Sequence, residues 1–402
     1  MTAPEAAPAP LRIVQVIAAI SETYGGPSIG ALELHRELSR SGVASILMTT
    51  SLRSDDGTTM STDEENRVKA GAFVRTFRPS RPYFLKNSWG LLRGLRSETA
   101  TVDLIHIHGQ YLFPNVFAYL AARRHSVRYG VQPHGSLEPY QRAQSRLKKG
   151  LYNALIGSRI MKNASYVLFA TELESANARD VVDPARAIVV ALGATLPEPQ
   201  SIPAVVQRID GRPREKVVLF LGRLARKKRP DLLIRAWAEV SRPTGSLLLI
   251  AGPDDSFTAA ELTLLAGQMG VADSVMLVGH ATAEEKSWLY AASGTFVLAS
   301  ENENFGITVT EAMTAGCHII CTEAVAASHL LVEAGAGAVL PELTVSTLAA
   351  SITLALTDPD AQAESAIVAR KFAAEHVSWK PLAAVLEDQA ILGRQSCRVV
   401  QP

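Results

Sequence analysis

Short apolar runs alternate along the chain with segments whose apolar residues recur at the spacing of a helix. In the first half this pattern predicts a helix at 28–40, with Ile29, Leu32 and Leu38 inward, and strands at 11–19, 43–49, 102–108, 128–133 and 166–170. A proline-rich stretch at 195–203 interrupts the pattern. The alternation then restarts, with predicted strands at 216–221, 246–251, 275–278, 295–299 and 318–321 and helices at 230–240, 258–269 and 305–315. Such βα alternation indicates parallel sheets covered by helices.

The two series of strands and helices predict an α/β protein with two domains. A chain of 402 residues also exceeds what a single hydrophobic core comfortably serves. We expect two doubly wound, Rossmann-like domains, at 11–195 and 214–379, joined by a linker at 196–213 and facing a central cleft. Ligands of such sheets bind at the carboxyl ends of the strands.

The composition is that of an ordinary globular protein and excludes several classes. The net charge of +1 implies no general attraction to nucleic acid. Cys317, Cys321 and Cys397 lack the spacing of metal ligands, which favours a reducing, cytoplasmic compartment. No apolar run is long enough to span a bilayer, and residues 1–10 read as a disordered tail and not a signal peptide.

Two glutamates at the strand-to-helix turn around residue 303 are the most informative feature. Glu303 lies in the turn and Glu311 about two turns into the predicted helix. The free N–H groups that open this helix, at Asn304, Phe305, Gly306 and Ile307, favour a phosphate. Carboxylates beside a phosphate suit a ligand that also carries vicinal hydroxyls, as a nucleotide sugar does. The ordinary alternative is a solvated loop residue and a surface helix residue.

A basic turn follows the first predicted strand of the second half. Gly222 permits close backbone approach, and Arg223 and Lys228 could neutralise a diphosphate and the charge that develops on it as a leaving group. A solvated basic turn is the alternative. Gly252 lies in a second turn at a strand end, which by itself is a weak indication.

A glycine-rich loop joins the first predicted strand to the first helix. Gly25, Gly26 and Pro27 allow tight approach to a ligand, and the helix that follows favours anions. The loop is not a dinucleotide-binding fingerprint.

Three histidines lie at or near the ends of neighbouring predicted strands. His106 and His108 share one strand face by alternation, and His134 ends the next strand. We expect His106 to be a core residue, and His108 and His134 to contribute hydrogen bonds at the ligand site. A zinc site is the rival interpretation, although the spacing matches no usual zinc pattern and no fourth ligand stands out.

A predicted helical stretch at 142–162 contains six basic residues and several leucines. The basic residues are Arg142, Arg146, Lys148, Lys149, Arg159 and Lys162. The stretch is either a basic face that touches an anionic membrane surface or an ordinary surface helix.

Together these motifs resemble those of the retaining glycosyltransferases of family GT4, which have the GT-B fold, over nearly the whole chain from Gln15 to about Trp379. The two glutamates at E-x7-E spacing are the most specific part of the resemblance, and Pro133–Pro139 is similar to a segment of bacterial surface-polysaccharide transferases. The resemblance implies that Glu303 contacts the donor sugar, Glu311 the ribose and His134 a sugar hydroxyl. It also implies that the last helix, 380–402, returns to the first domain.

The resemblance further implies sugar transfer from a nucleotide-diphosphate donor to a saccharide or lipid-linked acceptor, with retention and without a metal or other cofactor. A sugar-nucleotide epimerase, a phosphorylase and an inactive binding subunit are the alternatives. One departure from the family pattern is Arg229, which stands where a glycine usually follows the lysine, and it puts the local loop geometry in question. The sequence identifies neither the base, the sugar nor the acceptor.

Overall fold

The computed structural model describes residues 9–21, 24–69, 73–198, 207, 209 and 211–399 of the chain. The chain divides into two units after Ala191, and it returns to the first unit after Ser378. The corresponding predicted boundaries were 195/196 and 379/380. Much of the predicted linker at 196–213 lies outside the described residues.

The first unit is built on a seven-stranded parallel sheet with strand order β3-β2-β1-β4-β5-β6-β7. Its strands are β1 (Arg12–Ala19), β2 (Ala44–Thr50), β3 (Val74–Phe77), β4 (Leu104–His108), β5 (Tyr129–Gln132), β6 (Tyr166–Phe169) and β7 (Ala187–Val189). The order reverses between β1 and β4, which makes this pair the topological switch point where doubly wound sheets bind ligands.

Helices connect these strands and cover two apolar clusters. The helices are α1 (Gly26–Arg40), α2 (Thr62–Lys69), α3 (Trp89–Glu98), α4 (Phe113–Arg124), α5 (Pro139–Ala143), α6 (Arg146–Tyr152), α7 (Ser158–Asn163) and α8 (Glu172–Asn177). Leu47 belongs to the cluster under α1 and α2, whereas its neighbour Met48 belongs to the cluster under α3 and α4. Successive strand residues point to opposite faces, so both faces of the sheet are buried.

The second unit has a six-stranded parallel sheet with the order β10-β9-β8-β11-β12-β13. Its strands are β8 (Val217–Leu221), β9 (Leu247–Ala251), β10 (Val275–Gly279), β11 (Thr295–Leu298), β12 (His318–Thr322) and β13 (Ala338–Leu340). All residues of β8, β9 and β11 are buried, which explains why these strands read as continuous apolar runs. The switch point lies between β8 and β11.

The helices of the second unit cover this sheet and complete its core around the fully buried Trp237. They are α9 (Pro230–Glu239), α10 (Ala259–Gln268), α11 (Ala283–Ala291), α12 (Ile307–Ala315), α13 (Ser328–Ala334), α14 (Val345–Thr357) and α15 (Pro359–His376). Helices α10 and α11 begin with capping boxes formed by Thr258 with Glu261 and Thr282 with Glu285.

The last helix, α16 (Lys380–Val399), belongs to the first unit, where it packs on α1 and β4. The guanidinium of Arg394 donates to both carboxylate oxygens of Asp103, at 3.0 and 2.6 Å. Arg128 donates to the side-chain oxygen of Gln389 at 2.7 Å. One charged and one polar pair thus fix this helix to the residues that precede β4 and β5.

Candidate functional site

The loops that follow β8 and β11 lie side by side at the switch point of the second sheet, because β8 and β11 are paired neighbours. The first loop carries the predicted basic turn at 222–229, and the second carries Glu303. The backbone N–H of Glu301 donates to the carbonyl of Lys227 at 2.8 Å and joins the two loops directly. The predicted diphosphate residues and the predicted sugar-binding glutamate are therefore brought together.

An ion pair between Lys228 and Glu303 lies at the centre of this arrangement. The ammonium of Lys228 is 3.1 Å from Oε2 of Glu303, and that of Lys227 is 3.8 Å from the same oxygen. Burial acts to raise the pKa of Glu303, but the charges of Lys228 and then Lys227 outweigh it, so the pKa lies below its ordinary value. Glu303 is therefore an ionised carboxylate that can only accept hydrogen bonds.

Arg223 is held by a partner that the sequence did not indicate. Its guanidinium donates to Asp255 at 2.6 Å, and about half of the Arg223 side chain is exposed. Asp255 follows the Gly252–Pro253 turn, so its nearness to the end of β9 was the signal that could have identified it. The pair orients Arg223 and leaves further guanidinium N–H groups for an anion.

Close backbone approach requires the predicted glycine at 252, and the side chain of Lys228 crowds the one at 222. A Cβ on Gly252 would lie 1.9 Å from the carbonyl oxygen of Gly222, and a Cβ on Gly222 would lie 3.1 Å from the ammonium of Lys228. Any side chain at 252 would therefore push the ends of β8 and β9 apart. The glycines let the basic turn fold tightly over the strand ends.

Arg229 adopts the left-handed conformation that the usual glycine would favour, with φ at 49°. Its guanidinium is paired with Asp231 at 3.1 Å and with Glu301 at 2.7 Å. Ionic contacts therefore hold a non-glycine residue in an uncommon backbone conformation. The departure from the family pattern leaves the turn intact.

Helix α12 begins at Ile307, two residues later than predicted, because Gly306 has a φ of 93° and Phe305 is a buried loop residue. A Cβ on Gly306 would lie 2.6 Å from a methyl group of Val325. Next to it, Oδ1 of Asn304 is buried without a hydrogen-bond partner among the described residues. The helix opening thus offers an uncompensated polar atom beside its free N–H groups.

Glu311 lies in the second turn of α12 and is 3% exposed, so the surface alternative is wrong for this residue. The hydroxyl of Tyr290 donates to its Oε2 at 2.9 Å, and the ammonium of Lys286 is 3.4 Å from its Oε1. Burial and then the charge of Glu311 raise the pKa of Tyr290 well above its usual value, so that hydroxyl remains a donor. Sequence reasoning missed both partners, which come from α11.

In the first unit, Gly25, Gly26 and Pro27 form the start of α1, the helix that follows β1. Gly25 is the N-cap residue, with a φ of 75°, and Pro27 occupies the first turn. A Cβ on Gly25 or Gly26 would meet nothing within 4 Å in the described structure. Of the predicted inward residues of α1, Leu38 is buried and Leu32 packs, partly buried, against the core, whereas Ile29 is only partly buried. Ala31 and Leu34 complete the core face of the helix.

The rings of the three histidines pack against one another. His108 packs edge-on to His106 at 4.6 Å between ring centroids and stacks on His134 at 5.2 Å. Burial lowers the pKa of His106 to about 4, that of His134 to about 3, and that of His108 well below its usual value. All three are therefore neutral near pH 7. Within the described part of the chain, no group of three or more His, Cys, Asp or Glu side chains could hold a metal ion.

The basic stretch at 142–162 forms α5, α6, a π-helical turn at Asn153–Gly157 and α7. Three leucines at four-residue spacing are exposed: Leu147 at 91%, Leu151 at 62% and Leu155 at 61%. Arg142 is paired with Asp180 at 2.5 Å. None of the helices in the described residues is long and apolar enough to cross a membrane.

Two family models match the chain. The description of one is Glycosyl transferase 4-like domain, over residues 25–193, and that of the other is Glycosyl transferases group 1, over residues 205–372. Together they span most of the chain. The chain belongs to the group 1 glycosyltransferases. The resemblance found in its sequence is confirmed, and glycosyl transfer is the activity class of the protein.

Named relatives and solved structures agree with this assignment. The D-inositol 3-phosphate glycosyltransferase of Gordonia bronchialis is 27% identical over 382 residues, which cover 88% of this chain and 81% of the relative. Anabaena HepE in complex with UDP and glucose superposes with a TM-score of 0.73 at 18% identity, covering 94% of this chain and 98% of HepE. Sucrose-phosphate synthase from Thermosynechococcus elongatus superposes with a TM-score of 0.75 at 19% identity, covering 97% of this chain and 100% of the synthase. These structural likenesses confirm the GT-B fold of this glycosyltransferase.

Proposed function

We propose that this glycosyltransferase moves a sugar from a nucleotide-diphosphate sugar to a hydroxyl acceptor, with retention at the anomeric carbon. The Lys228–Glu303 ion pair at the switch point supports the proposal most directly, because it places a cation for phosphate beside an ionised acceptor for sugar hydroxyls. Anabaena HepE has also been solved with UDP-glucose, which favours a uridine nucleotide as the first donor to assay.

In the proposed reaction, the bond from the anomeric carbon to the β-phosphate oxygen breaks as the acceptor oxygen attacks the same face. The acceptor proton passes to the leaving phosphate oxygen, and a nucleoside diphosphate is released. Arg223, Lys228 and the N–H groups at the start of α12 stabilise the negative charge that grows on the diphosphate. Glu303 accepts hydrogen bonds from the donor sugar, and Glu311 accepts them from the ribose.

No metal or other cofactor has a role in this proposal. Lys228 and Arg223 already supply the charge with which a divalent cation would neutralise a diphosphate. Both ring nitrogens of His108 are engaged by Gln15 and His134, at 3.0 and 2.9 Å, so that ring has no nitrogen free to ligate a metal.

We further propose that the acceptor is a saccharide or lipid-linked saccharide of bacterial surface-polysaccharide or glycolipid assembly. The Pro133–Pro139 segment and the basic stretch at 142–162 support this class. The Gordonia bronchialis relative has a name that points to inositol 3-phosphate, so this small acceptor belongs in the same assay as a competitor.

The test incubates the protein with a panel of nucleotide sugars, first ranked by thermal stabilisation, because ligands of the native state raise its apparent stability. Release of nucleoside diphosphate only with an acceptor, and a product with the anomeric configuration of the donor, is the expected result. An epimerised donor without acceptor would indicate an epimerase, and a requirement for inorganic phosphate would indicate a phosphorylase. Binding without any turnover would indicate an inactive subunit.

The protein is also proposed to touch the cytoplasmic face of an anionic membrane through a basic apolar face, defined by the three exposed leucines of α6 and the π-helical turn with the cations around them. The cations are Arg146, Lys148, Arg159 and Lys162, and residues 139–171 contain no Asp or Glu. Exposed leucines flanked by cations suit an interface where apolar side chains enter and cations meet anionic headgroups, at about 1 kcal/mol per cation.

Sedimentation with vesicles tests this face. The protein should bind phosphatidylglycerol vesicles and not phosphatidylcholine vesicles, and the triple variant Leu147→Asn, Leu151→Asn, Leu155→Asn should lose binding. A control replaces three leucines elsewhere that are exposed to at least the extent of Leu155, at Leu173, Leu264 and Leu354. Equal binding of the two triple variants would reject the proposed face.

A further inference from the structure

A row of buried polar side chains crosses the first sheet from β2 to the turn after β5. The side-chain nitrogen of Gln15 donates to Ser45 at 3.3 Å, and its oxygen lies 3.0 Å from Nε2 of His108. Nδ1 of His108 lies 2.9 Å from Nε2 of His134. Gln15, Ser45 and His108 are all buried, so these groups cannot exchange their partners for water.

The direction of this row fixes where each proton lies. The oxygen of Gln15 can only accept, so Nε2 of His108 carries the proton of that neutral ring. Nδ1 of His108 is then an acceptor, and Nε2 of His134 must donate to it. Because a neutral imidazole carries one N–H, Nδ1 of His134 is left with a lone pair.

That lone pair is unused within the first unit. Nδ1 of His134 has no hydrogen-bond partner among the described residues, and the side chain is partly exposed. The backbone of His134 has a φ of 52°, an uncommon conformation for a residue with a side chain. The buried carboxylate of Glu174 accepts from the N–H groups of Gly135 at 2.7 Å and Ala170 at 2.9 Å, which holds the turn. A strained, firmly held residue with a free polar atom indicates a functional position.

We propose that Gln15 and His108 are positioning residues that keep His134 in its Nε2–H tautomer, so that Nδ1 accepts a hydrogen bond from a hydroxyl of a bound sugar. This inference rests on the proposed function and deepens it, because it specifies which chemistry His134 can recognise. Because Nδ1 of His134 carries a lone pair, it can bind only a group that donates a hydrogen bond, such as a sugar hydroxyl. A fluorine at the same position of the sugar cannot donate and should be rejected like a deoxy sugar.

The test reads the tautomer directly and does not depend on turnover. The nine histidines are labelled with ¹⁵N, and two-bond ¹H–¹⁵N spectra distinguish protonated from unprotonated ring nitrogens. The signals of His134 are identified by their loss in His134→Gln. We expect wild-type His134 to show a protonated Nε2 and an unprotonated Nδ1. A protonated Nδ1 would overturn the inference.

Two methionine variants test the role of this row of buried polar side chains. Gln15→Met removes the acceptor for His108 with little change of volume, and it should allow both tautomers of His134. The kcat/KM for transfer should then fall in proportion to the share of the competent tautomer, by about twofold when the two are equally populated, while the melting temperature confirms folding. The matched control is Gln132→Met, because Gln132 faces His106 at 3.4 Å on a separate branch. Its His134 spectrum should be unchanged.

The failure of this inference is distinguishable from failure of the proposed function. An unchanged His134 spectrum in Gln15→Met would overturn the positioning role even in an active enzyme. An inactive wild-type protein with the expected spectrum would instead remove the sugar substrate on which the role of Nδ1 depends, and with it the proposal.

Discussion

The ammonium of Lys228 lies 3.1 Å from Oε2 of Glu303, although the two residues belong to loops that follow different strands. The charge of Lys228 helps to keep Glu303 in the ionised state that its proposed role requires. Because Glu303 remains a carboxylate, it can accept from sugar hydroxyls, and Lys228 can turn toward a phosphate oxygen while still close to its partner. The pair thus holds a cation and an ionised acceptor side by side, as the proposed binding of a donor requires.

Glu303→Gln and Glu311→Ala should differ in kind. Glu303 is proposed to contact the sugar that reacts, so its change should lower kcat by on the order of 10²-fold. Glu311 is proposed to hold the ribose, which does not react, so its change should mainly raise the KM for the donor. Steady-state kinetics at varied donor concentration separates the two effects.

Glu284→Gln is the control for both variants, because Glu284 is an exposed residue of α11, the helix that also carries Lys286. It should leave both kinetic constants within twofold of wild type, as surface substitutions usually do. Small and equal losses in Glu303→Gln and Glu311→Ala would contradict the division of roles.

Arg223→Ala and Lys228→Ala should each reduce kcat/KM by on the order of 10²-fold, because each removes a preorganised charge at the leaving diphosphate. Arg226→Ala is the matched control, since Arg226 is an exposed cation of the same turn. Melting temperatures should show that the variants remain folded. If Arg226→Ala lost as much activity as the other two, the general positive charge of the turn would explain the effect.

The strands that frame the site could be predicted from the sequence because they are buried on both faces and therefore continuously apolar. Three strands were missed: Val74–Phe77, Ala187–Val189 and Ala338–Leu340. All three lie at sheet edges and have at most four residues. In so short a run, pairing with a neighbouring strand decides the conformation, and local sequence carries little of that information.

The position of Asp255 near the end of β9 was visible in the sequence, but which site residues pair with each other was not predictable, for a related reason. Asp255 holds Arg223, and Tyr290 holds Glu311, but each pair joins elements that are distant in sequence. The types of residue and their turn positions indicated a phosphate and polyol site. The choice of partner for each site residue depends on tertiary packing alone. The same is true of the row of buried polar side chains that contains Gln15.

The reaction should proceed in excess EDTA. Arg223, Lys228 and the start of α12 are proposed to meet the charge that a divalent metal would otherwise neutralise. Initial rates with and without chelator should agree within error. Loss of activity in EDTA that zinc or manganese restores would contradict metal independence, and it would favour ligand roles for His106, His108 and His134.

Gly252→Ala should destabilise the protein by about 1–3 kcal/mol, because the added Cβ would lie 1.9 Å from the carbonyl oxygen of Gly222. Gly267→Ala is the matched comparison. Gly267 lies in α10 with open space around its Cβ, so alanine there should stabilise by about 0.5–1 kcal/mol through helix propensity. Urea denaturation measures both. Unchanged stability of Gly252→Ala would show that the strand ends can move apart freely.

The stability of the first unit should fall as the pH is lowered from 7 to 5, partly because of His106. Burial lowers its folded pKa to about 4, below the ordinary 6.5 of an unfolded chain, so between these values the unfolded state binds the extra proton. Stability is therefore fully present above pH 6.5 and is lost as the pH falls toward 4, by about 1.4 kcal/mol per pH unit. The groups that face His106 are His108, Tyr166 and Gln132, and none offers a negative charge near pH 7 that would oppose this.

His106→Gln tests this assignment, because glutamine can still accept from Tyr166 and donate to Gln132 but does not titrate. Between pH 7 and pH 5, the free energy of unfolding measured in urea should fall for the variant by on the order of 2 kcal/mol less than it falls for wild type. The exposed His376 on α15 provides the control, and His376→Gln should keep the wild-type slope. Parallel pH profiles for wild type and His106→Gln would mean that His106 is not a source of the acid sensitivity. His35 would then be the next histidine to test, because burial also lowers its pKa to about 4.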